Sequence, residues 1–286
     1  MLKQRVITAI VLLAVLLGTL LAPGPWPLVV LLTILAACAL WEWLRLTWPR
    51  QPAASPMLLA ILLAAGLSSV AYQWLAPDPA QWSINLQSLI NHGLLPTVAL
   101  LWIFIATGMV FQGNSTERSG GGWLSLFGIL AIIAVWAALV QLFLTRGAGF
   151  LVSLLALIWI ADIAAYFTGK AIGKHKLAPK VSPGKTWEGA VGGVLGAATW
   201  VLATAYWPGS FGAVLSEQWP WWLVLALAIF LAAISIVGDL FESLLKRRAG
   251  VKDSSQLLPG HGGVFDRIDA LLPVAPIALL LTGVWL

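Results

Sequence analysis

The sequence has one cysteine and very little charge. Cys38 by itself excludes a disulfide within the chain and says little about the redox compartment. Charged residues make up 9% of the 286 positions and hydrophobic residues 60%, which gives a mean hydropathy of +0.93. A soluble domain of this size carries charge on about a quarter of its residues. This chain cannot cover itself with polar surface, so we expect its solvent to be largely lipid.

Apolar stretches near bilayer length recur along the whole chain. A membrane helix needs about 17–25 residues. Nine stretches approach that length: Val6–Ala22, Pro25–Trp43, Met57–Ala76, Leu94–Phe111, Trp123–Thr145, Gly147–Gly169, Gly189–Trp207, Trp219–Leu245 and Ile268–Leu286. The second is the weakest, because it starts with prolines and ends in "WEW". The runs are continuous rather than alternating, so they predict an all-α polytopic integral membrane protein with about nine transmembrane helices.

The basic residues predict the orientation. If the N-terminus is cytoplasmic, alternate loops face the cytoplasm, and of the 16 Lys and Arg only Arg146 then lies outside. This bias explains the net charge of +5 without a nucleic-acid partner. The first stretch has the basic flank of a signal peptide but a poor cleavage site, so we expect a retained helix. Without a transit peptide, the expected location is a bacterial inner membrane, with the N-terminus and active site cytoplasmic.

The two halves of the chain differ in their acids. Region 1–146 has only Glu42, Asp78 and Glu117, which favours a scaffold of packing and lipid-facing helices. Eight of the eleven acids follow residue 160, together with basic loops at 170–188 and 246–267. We therefore expect 147–286 to form a catalytic region with both loops in the cytoplasm.

Two of these acids lie inside predicted spans. A carboxylate at the centre of a membrane helix costs ~2.5–3.5 kcal/mol on insertion scales, so Asp162 and Asp239 should face a partner or a polar cavity. Both lie roughly 10–12 Å in from the cytoplasmic helix ends, at 1.5 Å per residue. Asp266 and Asp269 begin the last span from the same side. Four carboxylates can therefore converge beneath the two basic loops.

Helical spacing gives the eighth span a charged face. It carries Asp239, Glu242, Ser243, Lys246 and Arg247. Buried salt bridges within this face are the structural alternative to a functional site. Taken together that alternative is weaker, because a buried ion pair is a costly way to hold helices. Small residues are available for helix packing, as in the GxxxG spacings of "GAVGGVLGAA".

The two basic loops suggest phosphate chemistry. "PGKT" resembles the end of a P-loop, but the motif fails because residue 179 is Pro where it needs Gly. Ser182, Lys185 and Thr186 could still hold an anion at the start of the seventh helix; contact with anionic lipid heads is the alternative. In the second loop, Asp carboxylates suit Mg²⁺ and the glycines of "PGHGG" allow close backbone approach. These residues indicate phosphoryl or nucleotidyl transfer between a cytoplasmic nucleotide and a lipid.

The segment "SLLKRRAGVKDSSQLLPGHGGVFDRID" (Ser243–Asp269) resembles the signature of the phosphatidate cytidylyltransferase, or CDP-diacylglycerol synthase, family. The matching positions are Ser243, Lys246-Arg247, Lys252-Asp253, His261-Gly262-Gly263 and Asp266-Arg267-x-Asp269. "SPGKTWEG" and "DIAAYFTGK" are similar to further family blocks, although Gly184 stands where a basic residue is common. The resemblance covers the chain from Asp162 onward.

The resemblance implies that CTP and phosphatidate react to give CDP-diacylglycerol and diphosphate. It implies Mg²⁺, with K⁺ beside it in relatives, and it implies Asp239 and Asp266 as the metal ligands. We predict that these two act catalytically together with Lys246 and Arg267. The predicted substrate-binding residues are Ser182, Lys185, Thr186, Ser243, Arg247, Lys252, His261, Gly262, Gly263 and Asp162. Expected partners are CTP, phosphatidate and the membrane; the family and the GxxxG spacings permit a homodimer.

Other classes stay open at this point. A CTP-dependent lipid kinase of the polyprenol or phytol type would release CDP instead of diphosphate. An ion-coupled transporter would use Asp162 and Asp239 as ion or proton sites, but it leaves the charged loop unexplained. A non-catalytic scaffold predicts that substitutions in that loop are harmless. A CDP-alcohol phosphotransferase is disfavoured because its spaced DG…AR…G…D…D motif is missing.

Overall fold

The computed structural model describes residues 2–48, 54–115 and 121–283. Its helices in chain order are α1 (Leu2–Leu20), α2 (Trp26–Thr47), α3 (Ala54–Trp74), α4 (Gln81–Leu89), α5 (Leu95–Leu100), α6 (Thr107–Gln112), α7 (Gly122–Ile172), α8 (Trp187–Thr204), α9 (Phe211–Gln218), α10 (Trp221–Ala249), α11 (Phe265–Ile268) and α12 (Leu271–Thr282). Two short strands, β1 (Lys176–Ala178) and β2 (Ser182–Thr186), lie between α7 and α8. Arg50, Glu117 and Arg118, which entered the charge analysis, lie outside the described residues, as do the side chains of Lys3 and Arg5.

The predicted all-α polytopic class is confirmed, but the number of nine helices is not. Within the described ranges, five helices are long and apolar enough to cross a membrane: Trp26–Thr47, Ser55–Trp74, Gln81–Gln112, Gly122–Ile172 and Trp221–Ala249. The third of these joins α4, α5 and α6 through π-helical turns. The stretch predicted as weakest forms the complete helix α2, because its prolines fall at the helix start, where a missing N–H has no helical partner to lose.

Helix α7 is interrupted at Gly147, where φ is +82° and ψ is −178°. An unbroken helix of 51 residues would extend ~76 Å, more than twice the hydrocarbon core of a bilayer. Glycine adopts this conformation readily because it has no Cβ. The break falls where the sequence predicted the boundary between the fifth and sixth spans.

Aromatic side chains hold α2 against the C-terminal half of the chain. The fully buried ring of Trp43 lies 4.9 Å from Phe265 and 5.7 Å from Phe241 between ring centroids. Its Nε1 donates to the carbonyl of Leu124 at 2.9 Å. A Cβ at Gly128 would overlap the Trp43 indole, so α7 approaches α2 this closely only with glycine there. This packing brings the preceding residue, Glu42, to the loop that follows α10.

The glycines of α8 pack against α7 within the chain. A Cβ added at Gly193 would lie 2.7 Å from the Ala161 carbonyl oxygen, and one at Gly189 would lie 2.9 Å from the Ala165 carbonyl oxygen. The two helices therefore meet backbone to backbone, the usual use of GxxxG spacings in membranes. These glycines therefore serve a contact within the chain.

The strands β1 and β2 form a small antiparallel hairpin in the first basic loop. Lys176 pairs with Thr186, and Ala178 pairs with Ser182. Thr186 also caps α8, since its hydroxyl accepts from the Gly189 backbone N–H at 3.1 Å. The "SPGKT" residues are thus themselves an antiparallel strand and not a glycine-rich loop after a strand, in agreement with the rejection of a P-loop. The predicted start of the seventh helical stretch at this point is confirmed.

Candidate active site

A cavity of about 730 Å³ lies between α1, α2, α7, α10 and the loop after α10. Ionisable side chains line one end: Asp162, Asp239, Glu242, Lys246, Asp253, His261, Asp266, Arg267 and Asp269. Aliphatic side chains of α1, α2 and α7, such as Leu12, Leu31 and Leu155, line the rest. The four carboxylates that the sequence predicted to converge therefore share a single cavity.

Asp239 faces the hairpin from α10. The Nζ of Lys185 on β2 lies 2.6 Å from Asp239 Oδ2, and both side chains keep roughly a third of their surface accessible. Asp162 on α7 and Asp269 before α12 lie near enough for their charges to act on each other and on Asp239. Three carboxylates therefore lie near two cations, Lys185 and Arg267, and this side of the cavity has a net negative charge when all five are ionised.

Lys246 lies between two acids at the same end of the cavity. Its Nζ is 2.6 Å from Glu242 Oε2, one turn back on α10, and 2.7 Å from Asp266 Oδ1. The Glu242 and Asp266 side chains are nearly inaccessible to solvent. Helical spacing allowed a salt bridge within one face of α10, and the Glu242–Lys246 pair forms it. Lys246 also pairs with Asp266 on α11.

Asp266 is held by several donors besides Lys246. Its Oδ2 accepts from the backbone N–H of Ser254 at 3.0 Å, from the Ser254 hydroxyl at 2.9 Å and from the Gly263 N–H at 2.7 Å. Burial favours the neutral carboxyl, but the hydrogen bonds from Lys246 and from the Gly263 N–H outweigh it and hold the pKa of Asp266 well below its ordinary value. Gly262 has φ +85°, and a Cβ there would lie 2.6 Å from Asp266 Oδ2. The glycines after His261 thus let the backbone close around this carboxylate.

Glu42 joins the site from the N-terminal half and was missed by sequence reasoning. Its carboxylate is fully buried and accepts four hydrogen bonds from the loop after α10. The donors are Ser254 Oγ at 2.9 Å, Ser255 Oγ at 2.6 Å, Val264 N at 3.0 Å and Phe265 N at 2.6 Å. The signal available in the sequence was an acid within the apolar run "ALWEWL", which was read as a helix end.

Comparison with known proteins identifies the family. The sequence model described as "Cytidylyltransferase family" matches residues 3–285. The chain belongs to the cytidylyltransferase family. It is 40% identical to a phosphatidate cytidylyltransferase of Pseudomonas aeruginosa over 100% of this chain and 99% of the relative. The Haemophilus influenzae protein of the same name is 36% identical over 96% of both chains, and the Bacillus subtilis one is 32% identical over 99% and 98%.

Membership confirms the resemblance first seen in the C-terminal half and extends it over the whole chain. The protein is an enzyme of the nucleotidyltransferase class, as predicted. The division at residue 146 stays a prediction. The Glu42 contacts nevertheless link α2 of the predicted scaffold directly to the loop of the predicted catalytic region.

The remaining predicted residues take several positions around the cavity of this cytidylyltransferase. Arg267 lines it and donates from Nη2 to the His261 carbonyl at 2.8 Å. Arg247 donates from Nε to the Val181 carbonyl at 3.3 Å and so ties the hairpin to α10. The Thr186 hydroxyl is buried at its capping position.

Other predicted residues do not line this cavity. Lys252 is exposed and lines a second recess with Arg45 and Trp41. Ser182 on β2 is half-buried, as is Ser243 on α10. The structure thus brings Asp162, Asp239, Lys246, His261, Asp266 and Arg267 onto one wall, and it joins Lys185 to them through Asp239.

The carboxylates could share a metal ion with a substrate. In the described ranges, no group of three or more His, Cys, Asp or Glu side chains could hold an ion by itself. Mg²⁺ bound to a polyphosphate needs only one or two protein carboxylates and keeps several waters. Asp239 is accessible in the cavity, and Oδ1 of Asp266 meets only Lys246 among the donors described above. This donor set fits an ion that arrives with substrate phosphates.

Proposed function

We propose that this enzyme forms CDP-diacylglycerol and diphosphate from CTP and phosphatidate at the cytoplasmic face of the membrane. The observation that carries the proposal is the cavity, in which a cluster of acids and bases adjoins a long aliphatic wall. A phosphorylated lipid has the same division between an anionic head and apolar tails. Full-length relatives named phosphatidate cytidylyltransferases support this choice of lipid.

The aliphatic wall would receive the acyl chains. Leu13 and Leu16 of α1, Leu32 of α2 and Leu151 of α7 all contribute to it, so N-terminal helices would touch the lipid. Thr8 on α1 donates to the carbonyl of Pro259 at 2.9 Å, which joins this wall to the loop at the charged end. Burial of a fatty chain is worth about 0.8 kcal/mol per CH₂, so the wall would supply much of the lipid affinity.

The lipid phosphate would attack the α-phosphorus of CTP as the bond to the bridging oxygen of the β-phosphate breaks. The second pKa of a phosphate monoester is near 6, so at pH 7 the nucleophile is mostly ionised and needs no strong general base. The obstacle is repulsion, since two unit charges 4 Å apart interact by about 4 kcal/mol at an effective dielectric of 20. Lys246 and Arg267 line the cavity and would neutralise part of this charge, as would Lys185.

Asp239 and Asp266 would hold Mg²⁺ together with the phosphates of CTP. The ion would supply positive charge beside the leaving diphosphate. Lys185 and Lys246 pair with these two carboxylates in the free enzyme. Incoming phosphates would offer the lysines a second anionic partner and leave carboxylate oxygens available for the ion.

Contacts at opposite ends of the helices support the proposed cytoplasmic side, and the bacterial relatives support the bacterial inner membrane as location. The basic hairpin and the loop after α10 gather at the charged end of the cavity. Arg146, the only basic residue predicted outside, instead contacts the carbonyl of Thr282 at 3.3 Å. Gln218 Nε2 donates to the same carbonyl at 2.7 Å. If the enzyme forms a homodimer, its interface uses a face other than the α8 glycines.

The test is diphosphate release by the detergent-purified enzyme with CTP, Mg²⁺ and phosphatidic acid, and with ATP replacing CTP as the nucleotide control. We expect CTP-dependent release of diphosphate and formation of CDP-diacylglycerol. Release of CDP with a phosphorylated lipid would instead identify a kinase. Asp239→Asn should reduce turnover about 100-fold or more, whereas Asp78→Asn, at an exposed acid in the loop after α3, should stay within about twofold. Near-normal turnover by folded Asp239→Asn would overturn the metal assignment.

A further inference from the structure

The loop after α10 carries charged residues toward the cavity at both of its ends. Asp253 precedes Ser254, and Asp266 and Arg267 follow Phe265; all three line the cavity. Among the described residues of this loop, regular structure is limited to a bridge between Leu258 and Gly262. A segment of this kind has many backbone conformations, so something outside the loop must fix the two ends relative to each other.

Glu42 meets both ends at once. One carboxylate receives the hydroxyls of Ser254 and Ser255 from the first end and the backbone N–H groups of Val264 and Phe265 from the second. Each oxygen takes one donor from either end. The two N–H groups stand just before and at the start of α11, so the carboxylate also orients the short helix that presents Asp266.

A shared hydroxyl connects Glu42 to Asp266. Ser254 Oγ lies 2.9 Å from Glu42 Oε2 and 2.9 Å from Asp266 Oδ2. A hydroxyl has one hydrogen, so both carboxylates depend on the same side-chain donor. A Cβ at Gly263 would collide with Ser254 Oγ and with Glu42 Oε2, which shows how closely these groups pack.

We propose that Glu42 is a positioning residue for Asp266, acting through Ser254 and the start of α11. The proposal rests on the proposed function, because it concerns the orientation of a carboxylate assigned there to catalysis. Glu42 lies next to the cavity wall formed by Val264 and Asp266 but is itself absent from that wall, so it need not touch substrate.

Glu42→Gln tests this role. The amide keeps the volume but places an NH₂ group against one serine hydroxyl and one backbone N–H. The hydroxyl can turn and accept from the NH₂ group, but the backbone N–H of Val264 or Phe265 loses its acceptor, so the second end of the loop is held less firmly. Loss of an outer hydrogen-bond partner typically reduces activity or metal affinity 10–100-fold. We expect kcat to fall by about that factor, with KM for phosphatidate within about threefold of wild type.

Thr33→Val is the matched control on the same helix. Thr33 is buried, donates to the Val29 carbonyl at 2.8 Å and accepts from Trp136 Nε1 at 3.0 Å, far along α2 from the loop. The Thr33→Val variant loses a buried polar contact without disturbing Asp266, so its kcat should stay within about threefold of the wild-type value. Amide hydrogen exchange over 263–265 should quicken in Glu42→Gln and stay unchanged in Thr33→Val.

Ser254→Ala provides a second variant in which no buried charge changes. It removes the hydroxyl shared by both carboxylates, whereas Ser255→Ala removes one that contacts Glu42 without touching Asp266. Positioning predicts a larger loss of kcat in Ser254→Ala than in Ser255→Ala. Equal kcat in Glu42→Gln and Thr33→Val would overturn the positioning role of Glu42, and so would equal kcat in the two serine variants. In either case, diphosphate release by the wild-type enzyme would still support the proposed function. Absence of that release would reject the function itself.

Discussion

Replacement of Lys246 by methionine removes the ammonium between two buried carboxylates. The Lys246 side chain is 14% exposed and lies 2.6 Å from Glu242 and 2.7 Å from Asp266. At an effective dielectric of 20, each contact corresponds to about 6 kcal/mol of attraction. Desolvation of the three groups and repulsion between the two carboxylates offset most of this. Removal of one partner of a buried pair costs about 3–5 kcal/mol, because it leaves a carboxylate uncompensated.

The expected fall in melting temperature is about 6–10 °C, at roughly 2 °C per kcal/mol for a chain of this size. Thermal unfolding of detergent-purified variants measures it. Lys246→Met combined with Glu242→Gln removes both the cation and one of the acids, so we expect about half of the stability to return. Diphosphate release should stay low in both variants, because neither can neutralise a substrate phosphate.

Two results would refute this reasoning. If Lys246→Met has the same melting temperature as the wild type, the three groups do not form a charged buried cluster. A double variant with normal turnover would mean that Lys246 stabilises the fold without acting on substrate. Size-exclusion chromatography confirms that each variant remains folded before its activity is compared.

Two further predictions concern backbone geometry and pH. Gly147→Ala places a Cβ at φ +82° and should cost about 1–2 kcal/mol in stability, whereas Gly149→Ala, with open space around it, should not; equal melting temperatures would contradict this. Hydrogen bonds from its own backbone and from His175 lower the pKa of Glu188 to about 2 from the ordinary 4.5. The contribution of ionised Glu188 to the stability of the folded state is therefore complete above about pH 4.5 and is lost as the pH falls toward 2. The His175 backbone N–H donates to the Glu188 carboxylate, so its protection from hydrogen exchange should stay constant from pH 7 to 5 in the wild type and should be lower in Glu188→Gln. Protection that declines in the wild type over that range would contradict the lowered pKa.

Local patterns in the sequence predicted much of the architecture and part of the site. Continuous apolar runs gave the helical membrane class, and a glycine after Arg146 marked the break in α7. Burial cost in a membrane singled out Asp162 and Asp239, and both line the cavity. These inferences succeeded because each depends on neighbours within one helix, where spacing alone decides depth and direction.

Contacts between distant parts of the chain were beyond such reasoning. Glu42 lies in a half with few acids, and its donors follow more than 200 residues later. Thr186 is predicted to bind phosphate because hydroxyls near lysine suit anions, and only the structure shows that its hydroxyl also caps α8. The partners of Lys246 required knowledge of how α11 approaches α10. In each case the local pattern allowed two roles, and tertiary packing selected between them.

The span between Glu42 and Ser254 also bears on biosynthesis. The two residues are 212 positions apart, which corresponds to roughly 10–40 s of translation. During that time α2 enters the bilayer with an acid near its C-terminal end whose protein donors do not yet exist, so water must hydrate it. A nascent or truncated chain that ends before residue 265 therefore cannot form the four contacts that fix Glu42 to the loop after α10.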